Sequence, residues 1–296
     1  MTQPIRRRET QVVLSDSRER YRRVWLPADA RRVLILIHGF GEHSGRYDEM
    51  AMYFARAGFA VHAYDQAGHG RTVGPRGHVD RFDRLVEEAV RFVELVGDEH
   101  PGLPVTLVGH SMGGLVVAGA AVLFSPPVDR FVLSGALLRM AGAETGLRRR
   151  LSLMLAHVLA RIAPRFAIAT GLDAEGISRD PEVVRRYRED PYVEDRMTTR
   201  FAAGLDRLLP VVVDGAARVD RPMLVLHGEE DPLTSPLGSE AFYAGLAPEI
   251  AAQSVLRIYP GLRHEIFQEP ERAQVWDDVL EWLGEPRAST EALPAA

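Results

Sequence analysis

Covalent chemistry on an acyl group needs a nucleophile, a base to take its proton, and an acid to hold that base in the right tautomer. This sequence offers one of each, in one order. Ser111 lies in Gly109-His110-Ser111-Met112-Gly113, which fits G-x-S-x-G, between a β-branched run at 105–108 and a helix-compatible apolar run at 115–123. Strand, sharp turn and helix are the context in which that motif exposes a serine hydroxyl, and the turn needs nearly side-chain-free residues two positions before and after it. Asp231 follows an apolar run in HGEEDPLTSP, and His264 follows a strand-like run in YPGLRHEIFQEP. Glu229 and Glu230 compete with Asp231 by position but stand at the tip of the turn. Of the 10 histidines only His264 comes after Asp231, so the chain order serine, acid, histidine selects it. A tetrahedral intermediate also needs two N–H donors. Met112, at the head of the helix, is expected to supply one, and Phe40, between Gly39 and Gly41, the other.

The remaining histidines read as structural. His38 and His69 lie in glycine-containing turns, His62 and His227 in or at strand ends, and His110 beside the nucleophile. None shows paired metal-ligand spacing. The expected chemistry therefore uses no metal and no cofactor.

The elements that must hold these residues are legible as alternating periods. Residues 9–14 and 18–25 read as a hairpin. The run RVLILI at 32–37 is apolar throughout, as a strand buried on both faces of a parallel sheet would be. A helix at 47–57, a strand at 59–64, an amphipathic helix at 81–99, the Ser111 turn and a strand at 130–134 follow. The alternation resumes with a strand at 222–227, a helix near 239–247, a strand at 254–259 and a last helix at 272–283. This pattern predicts an α/β fold with a mostly parallel central sheet and helices on both faces. Between the two halves, 136–209 reads as helices and loops without a convincing strand. The expected organisation is a first core part at 1–135, a helical lid inserted between two strands at 136–209, a second core part at 210–283 and a disordered tail at 284–296. Leu151, Met154, Leu155, Val158, Leu159 and Ile162 recur at helical spacing within the lid, just after Arg148-Arg149-Arg150. Cations beside an apolar stripe suit a helix that rests on an anionic lipid surface; they equally suit a lid helix packed on the core with its arginines solvated.

Composition narrows the function classes. A chain of 296 residues, 46% hydrophobic, can bury a sizeable core, and a net charge of −5 gives no electrostatic case for nucleic acid. Cysteine is absent, which removes disulfides, thiolate metal sites and a cysteine nucleophile. Lysine is absent too, so the 36 basic residues are all arginine and a Schiff-base mechanism is closed. Neither a signal-peptide h-region nor an apolar run of membrane-spanning length is present. The expectation is a cytoplasmic protein, with peripheral membrane contact through the lid; oligomeric state is not readable.

HGFGEHSGRYDEMA, DQAGHGRTVGPRGHV, GHSMGG, HGEEDPLTSP, YPGLRHEIFQEPE and the lid segment SRDPEVVRRYREDPYV together resemble the monoacylglycerol lipase / lysophospholipase group of the α/β-hydrolases, serine aminopeptidase S33-like, from about 18 to 283. That resemblance implies Ser111 as nucleophile, Asp231 as orienting acid and His264 as base, with the amides of Phe40 and Met112 as oxyanion hole. It also implies that Glu42 and Arg46 lie near the glycerol end of a substrate; a charge pair tying down the loop is the equal alternative. Phe40 stands where the group often has a small residue, and Thr72 where it often has serine, so the Thr72 hydroxyl is expected to substitute. The implied partner is a single-chain lipid ester and the implied reaction hydrolysis of a monoacylglycerol. Alternatives are a lysophospholipase or broad carboxylesterase, and, from another class, a ligand-binding α/β-hydrolase without catalysis.

Overall fold

Continuous apolar runs make continuous strands here because both faces of the sheet are covered. The computed structural model describes residues 4–14, 17–142, 154 and 157–285. The hairpin β1 (Arg6–Val13) and β2 (Glu19–Leu26) leads into β3 (Arg32–Ile37), α1 (Asp48–Arg56), β4 (Phe59–Tyr64), α2 (Asp83–Glu99), β5 (Val105–His110), α3 (Met112–Leu123) and β6 (Arg130–Ser134). After the intervening segment come β9 (Met223–Gly228), α6 (Pro236–Ala244), α7 (Pro248–Ala251), β10 (Val255–Tyr259) and α8 (Arg272–Trp282). The eight strands order as β1-β2-β4-β3-β5-β6-β9-β10. β1 to β2 and β2 to β4 pair antiparallel, and every other neighbour pair is parallel.

Within β3 the period of two sorts the side chains: Val33, Ile35 and Ile37 join the layer under α2 and α3, while Leu34 and Leu36 join the layer under α1 and α8. Each is at most 1% exposed, which places it at the full-burial end of about 1.5–3 kcal/mol per side chain. α3 is buried on nearly every side. Small residues let it lie against the sheet: a β-carbon on Gly113 would stand 2.2 Å from the Ile37 carbonyl oxygen, and one on Gly114 2.6 Å from Ala136 Cβ.

The segment between β6 and β9 is mainly helical and irregular, but it is not free of strands. β7 (Ala167–Ala169) and β8 (Arg196–Thr198) pair antiparallel, Ala167 opposite Thr198. Three residues apiece, AIA and RMT, give no alternation to detect, so the expectation of a strand-free segment is corrected here. α4 (Pro181–Glu189) lies between them, started by the Asp180 side chain accepting from the Glu182 N–H and by Pro181 in the first turn. α5 (Thr199–Asp214) follows β8, with Pro210 inside it, so position 209 falls in mid-helix. Its Phe201, Leu208 and Val212 belong to the α2–α3 core layer.

Leu151 and Leu155 of the lid stripe, and Arg148 to Arg150, lie outside the described residues. Of the others, Met154, Val158 and Ile162 are exposed (60%, 46% and 74%), and Ala160 is the buried residue of that helical turn. No helix among the described residues is long and apolar enough to cross a membrane. At the C-terminal end, Gly284 and Glu285 are held: the Glu285 N–H donates to Leu280 O at 2.9 Å and its carboxylate pairs with Arg32. The expected disorder therefore does not begin at 284, and residues 286–296 lie outside the described residues.

Candidate active site

β5 ends in the turn the motif called for. Ser111 has φ 54° and ψ −119°, a conformation non-glycine residues rarely adopt, costing on the order of 1–3 kcal/mol and persisting only where its surroundings over-determine it. The surroundings do so: the Ser111 N–H donates to Ser134 O (3.0 Å), its carbonyl accepts from Leu137 N (2.9 Å), and a β-carbon on Gly109 would stand 2.3 Å from Gly113 O. The serine hydroxyl is thereby pushed out past the sheet.

Asp231 and His264 meet it from two other strand ends. Their loops are laced by backbone: Glu229 N–H to Tyr259 O and Glu230 N–H to Leu262 O, both 2.9 Å, with Gly228 so close that a β-carbon would stand 2.2 Å from Arg263 O. Ser111 Oγ lies 2.9 Å from His264 Nε2, and His264 Nδ1 lies 2.7 Å from Asp231 Oδ2. An ionised carboxylate only accepts, so Nδ1 carries the proton and Nε2 is left as the acceptor facing the serine. Asp231 Oδ1 accepts from the N–H groups of Leu233 (2.8 Å) and Thr234 (2.9 Å). Its Oδ2 also has the Thr234 hydroxyl at 2.7 Å and His227 Nε2 at 3.1 Å. Burial by itself would raise the Asp231 pKa, but the attraction of His264 and the hydrogen bonds of His227 and His264 hold it far below the usual carboxylate range. For His264 burial works downward and Asp231, with Glu265 and Glu42, outweighs it, so its pKa is raised. Glu229 and Glu230 are exposed at the turn and make neither contact.

Burial lowers the pKa of two buried histidines near this group, His110 and His69. Burial, helped by His264, pushes His110 down to about 3 although the two rings are 4.8 Å apart. Burial, with His38 second, takes His69 to about 3. His38 braces the loop after β3, its Nε2 accepting from Gln66 N–H at 3.0 Å. The Thr72 Oγ1 accepts from Tyr21 N–H (3.0 Å) and donates to Asp65 O.

As the first residue of α3, Met112 has an N–H without an intrahelical acceptor. Gly39 and Phe40 line the same cavity as Ser111 and Met112. The loop passes so close that a β-carbon on Gly39 would stand 3.1 Å from Ser111 Cβ. The Phe40 ring is pinned edge-on to His69 (5.3 Å) and to Phe201 of α5 (5.2 Å). The cavity measures about 680 Å³ and is walled largely by apolar side chains, among them Leu137, Met140, Ile177, Leu205 and Leu209.

Glu42 reaches this cavity; Arg46 does not. Arg46 spans Glu42 Oε2 (2.9 Å) and both oxygens of Glu265 (2.6 and 2.7 Å), with a second cavity of about 350 Å³ on its other side, near Arg7, Arg56 and Asp190. Arg46 is thus held in a charge cluster with Glu42 and Glu265. Sequence reading also missed Thr234 and His227 as partners of Asp231; the turn DPLT, whose aspartate can accept from backbone two and three residues on, was the available signal.

One cluster outside the site went unpaired in the sequence. His62, Glu99 and His100 bring ligating atoms within 4.8 Å of one another. Arg22 already holds it, reaching His62 Nδ1 at 2.6 Å and the two Glu99 oxygens at 2.7 and 2.5 Å. Because a guanidinium only donates, His62 Nδ1 accepts and its Nε2–H donates to His100 Nε2 at 2.9 Å. The lone pair a metal would need is committed.

The family model Hydrolase_4, serine aminopeptidase S33, matches residues 28–271. The chain belongs to that family. It is similar to a monoacylglycerol lipase of Mycolicibacterium smegmatis, 38% identical over 263 residues that cover 88% of this chain and 91% of that one. The crystal structure of Paleococcus ferrophilus monoacylglycerol lipase is similar at 33% identity and a TM-score of 0.78, covering 90% of this chain and 98% of the other. A soluble variant of Saccharomyces cerevisiae monoglyceride lipase, solved with a substrate analog, gives 25% identity and 0.82 over 96% of each chain. In this S33-family α/β-hydrolase the candidate site lies at the carboxyl ends of the parallel strands, where such folds present ligands.

Proposed function

We propose that this chain hydrolyses monoacylglycerols to glycerol and free fatty acid through an acyl-enzyme on Ser111. In this reading Ser111 Oγ attacks the ester carbonyl while its proton passes to His264 Nε2. The carbonyl oxygen becomes an oxyanion facing the N–H groups of Phe40 and Met112. As the C–O bond breaks, His264 returns the proton to the leaving glycerol oxygen. Water then attacks the acyl group by the same route, His264 taking its proton and returning it to Ser111 as fatty acid leaves. Asp231 holds the imidazole and stabilises the imidazolium each time it forms.

The observation that carries the choice of substrate is the apolar cavity of about 680 Å³ opening on Ser111. It is within the range of about 300–1,000 Å³ typical of small-molecule sites, and its lining suits one acyl chain. The relatives named above support the same alcohol. The test is a panel of monoacylglycerols, diacylglycerols, lysophospholipids and p-nitrophenyl esters of graded chain length. The reading predicts kcat/KM for a long-chain monoacylglycerol at least about tenfold above the matched lysophospholipid and diacylglycerol, each tenfold being about 1.4 kcal/mol. A faster lysophospholipid would replace the monoacylglycerol reading with the phospholipase one.

The same proposal includes delivery from a surface through a cap formed by the segment between β6 and β9. Its support is the exposed row Met154, Val158, Ile162 and Phe166, with Arg161 and Arg165 exposed beside it. Replacing Arg148, Arg149 and Arg150 with Gln is expected to weaken binding to anionic vesicles on the order of tenfold or more, at about 1 kcal/mol per cation near such a surface. Hydrolysis of vesicle-borne substrate should slow while a short soluble p-nitrophenyl ester is spared. The wild-type preference should fade with salt, which screens exposed charges over roughly 8–10 Å. Equal loss on both substrates would give the arginines a folding role instead.

A further inference from the structure

The residue after His264 has no part in the reaction as written, yet it is buried and charged. Glu265 sits with Arg46 and Glu42 in one cluster whose side chains are 6%, 8% and 3% exposed. Arg46 is the centre: it forks onto both Glu265 oxygens and touches Glu42 Oε2 with the same Nη1. The other Glu42 oxygen accepts from the Gly39 N–H and from the Tyr47 hydroxyl, each at 2.6 Å. Gly39 immediately precedes Phe40, the residue whose amide faces the oxyanion in the proposed reaction. One chain of charge-assisted bonds thus runs from the N–H of Gly39, one peptide before the oxyanion donor, to the residue that follows the base. The Gln268 side chain donates to Arg46 O at 2.8 Å and ties the same two loops together. α4 covers the cluster, with the Tyr187 ring 4.8 Å from the Arg46 guanidinium.

We propose that Glu265 is a positioning residue that, through Arg46 and Glu42, fixes the Gly39–Phe40 peptide against His264 and so sets the geometry of the oxyanion hole. This rests on the Ser111–His264–Asp231 reading and goes beyond it. Two physical consequences follow. Glu42 takes the Gly39 N–H out of the cavity, which leaves the next amide to face the substrate, and donors preorganised in this way cost no reorganisation at the moment of reaction. The cluster is also one negative charge in excess, two carboxylates against one guanidinium. An anion held close to His264 favours the imidazolium that forms when Ser111 gives up its proton.

His264 is faced by Asp231 from the turn after β9, by Glu42 from the loop after β3, by the His110 ring at the end of β5, and by Glu265 on its own loop, with His227 behind Asp231 and Arg46 bound to both glutamates. Removing the Glu265 charge takes away an anion and leaves Arg46 less compensated, and both changes disfavour protonated His264. The acid limb of the pH profile must then move to lower pH.

The experiment compares Glu265→Gln, Glu265→Asp and the double variant Arg46→Met with Glu265→Met, using a short p-nitrophenyl ester across pH. Glu265→Gln is expected to lower kcat about tenfold with KM within about twofold, the pattern of an interaction made in the transition state, and to shift the acid limb downward. Glu265→Asp, which keeps the charge, should return the limb to the wild-type position. The double variant replaces the Arg46–Glu265 pair with apolar side chains and leaves Glu42 to its Gly39 and Tyr47 donors; it should show the kcat loss, and a thermal melt of the same preparation separates that loss from any loss of fold. Wild-type kcat and an unmoved limb in Glu265→Gln, or full activity in the double variant, would overturn the proposal while leaving the triad reading intact. A triad failure would look different, because the wild-type protein itself would then show neither the limb nor reaction with an active-site phosphonate.

Discussion

Ser111→Ala is expected to lower turnover by about 10⁴-fold or more while leaving the fold unchanged, the residue left over coming from binding and the oxyanion donors alone. The size follows from the geometry. Ser111 Oγ stands 2.9 Å from His264 Nε2, so in the proposed reaction its loss removes the atom that bonds to the acyl carbon and leaves the base with nothing to deprotonate but water. The fold should be indifferent: the turn is held by the Ser111 backbone bonds to Ser134 and Leu137, not by its hydroxyl. Steady-state rates and a thermal melt on the same preparation separate the two effects. A variant that keeps more than about one part in a hundred of wild-type turnover is inconsistent with a nucleophile at this position.

Asp231→Asn is the second large effect, again about 10⁴-fold in turnover. The carboxylate accepts from Leu233 N–H, Thr234 N–H and His264 Nδ1–H, with the Thr234 hydroxyl and His227 in addition. An amide cannot accept through both ends. Its NH₂ must face either backbone donors or the His264 Nδ1–H, and the second choice turns the imidazole to the wrong tautomer. The depressed Asp231 pKa makes this a pH statement too. Its stabilising contribution is fully present above the unfolded value of about 3.9 and is lost only as pH falls toward its lower folded value. His264 runs the other way: its raised pKa stabilises below about 6.5, and that contribution is lost as pH rises through the folded value. Wild-type kcat/KM should accordingly climb through a limb above the ordinary histidine range. Glu229→Gln and Glu230→Gln should each change rates by no more than about twofold, as exposed substitutions do; equal damage from either would reassign the acid.

What could be read from the chain and what could not divides along contact range. The strands of the sheet announced themselves because RVLILI and its counterparts are buried on both faces, which removes any alternation and leaves an apolar block. The turn at Ser111 was legible because its backbone conformation tolerates almost nothing but glycine nearby, and that demand is written within five residues. Asp231 and His264 were found by their order after Ser111 and their places at strand ends. Glu265 had no such signal. Its partner Arg46 is 219 positions away, and a glutamate beside a loop histidine reads locally as solvated. The same holds for Arg22 with His62 and Glu99, and for β7 with β8, whose pairing spans α4. The expected boundary at 209 falls inside α5, which carries Pro210 and continues to Asp214 with Leu208 and Val212 on either side buried in the core.

Whether Ser111 is the nucleophile activated by His264 is decided by reacting the protein with a long-chain fluorophosphonate, then measuring intact mass and mapping the labelled peptide. One adduct per chain is expected, on the peptide containing Ser111, forming more slowly as His264 becomes protonated, and absent from Ser111→Ala. A full adduct on the Ser111→Ala protein, or a wild-type adduct mapping to any other residue, would contradict that assignment of the nucleophile.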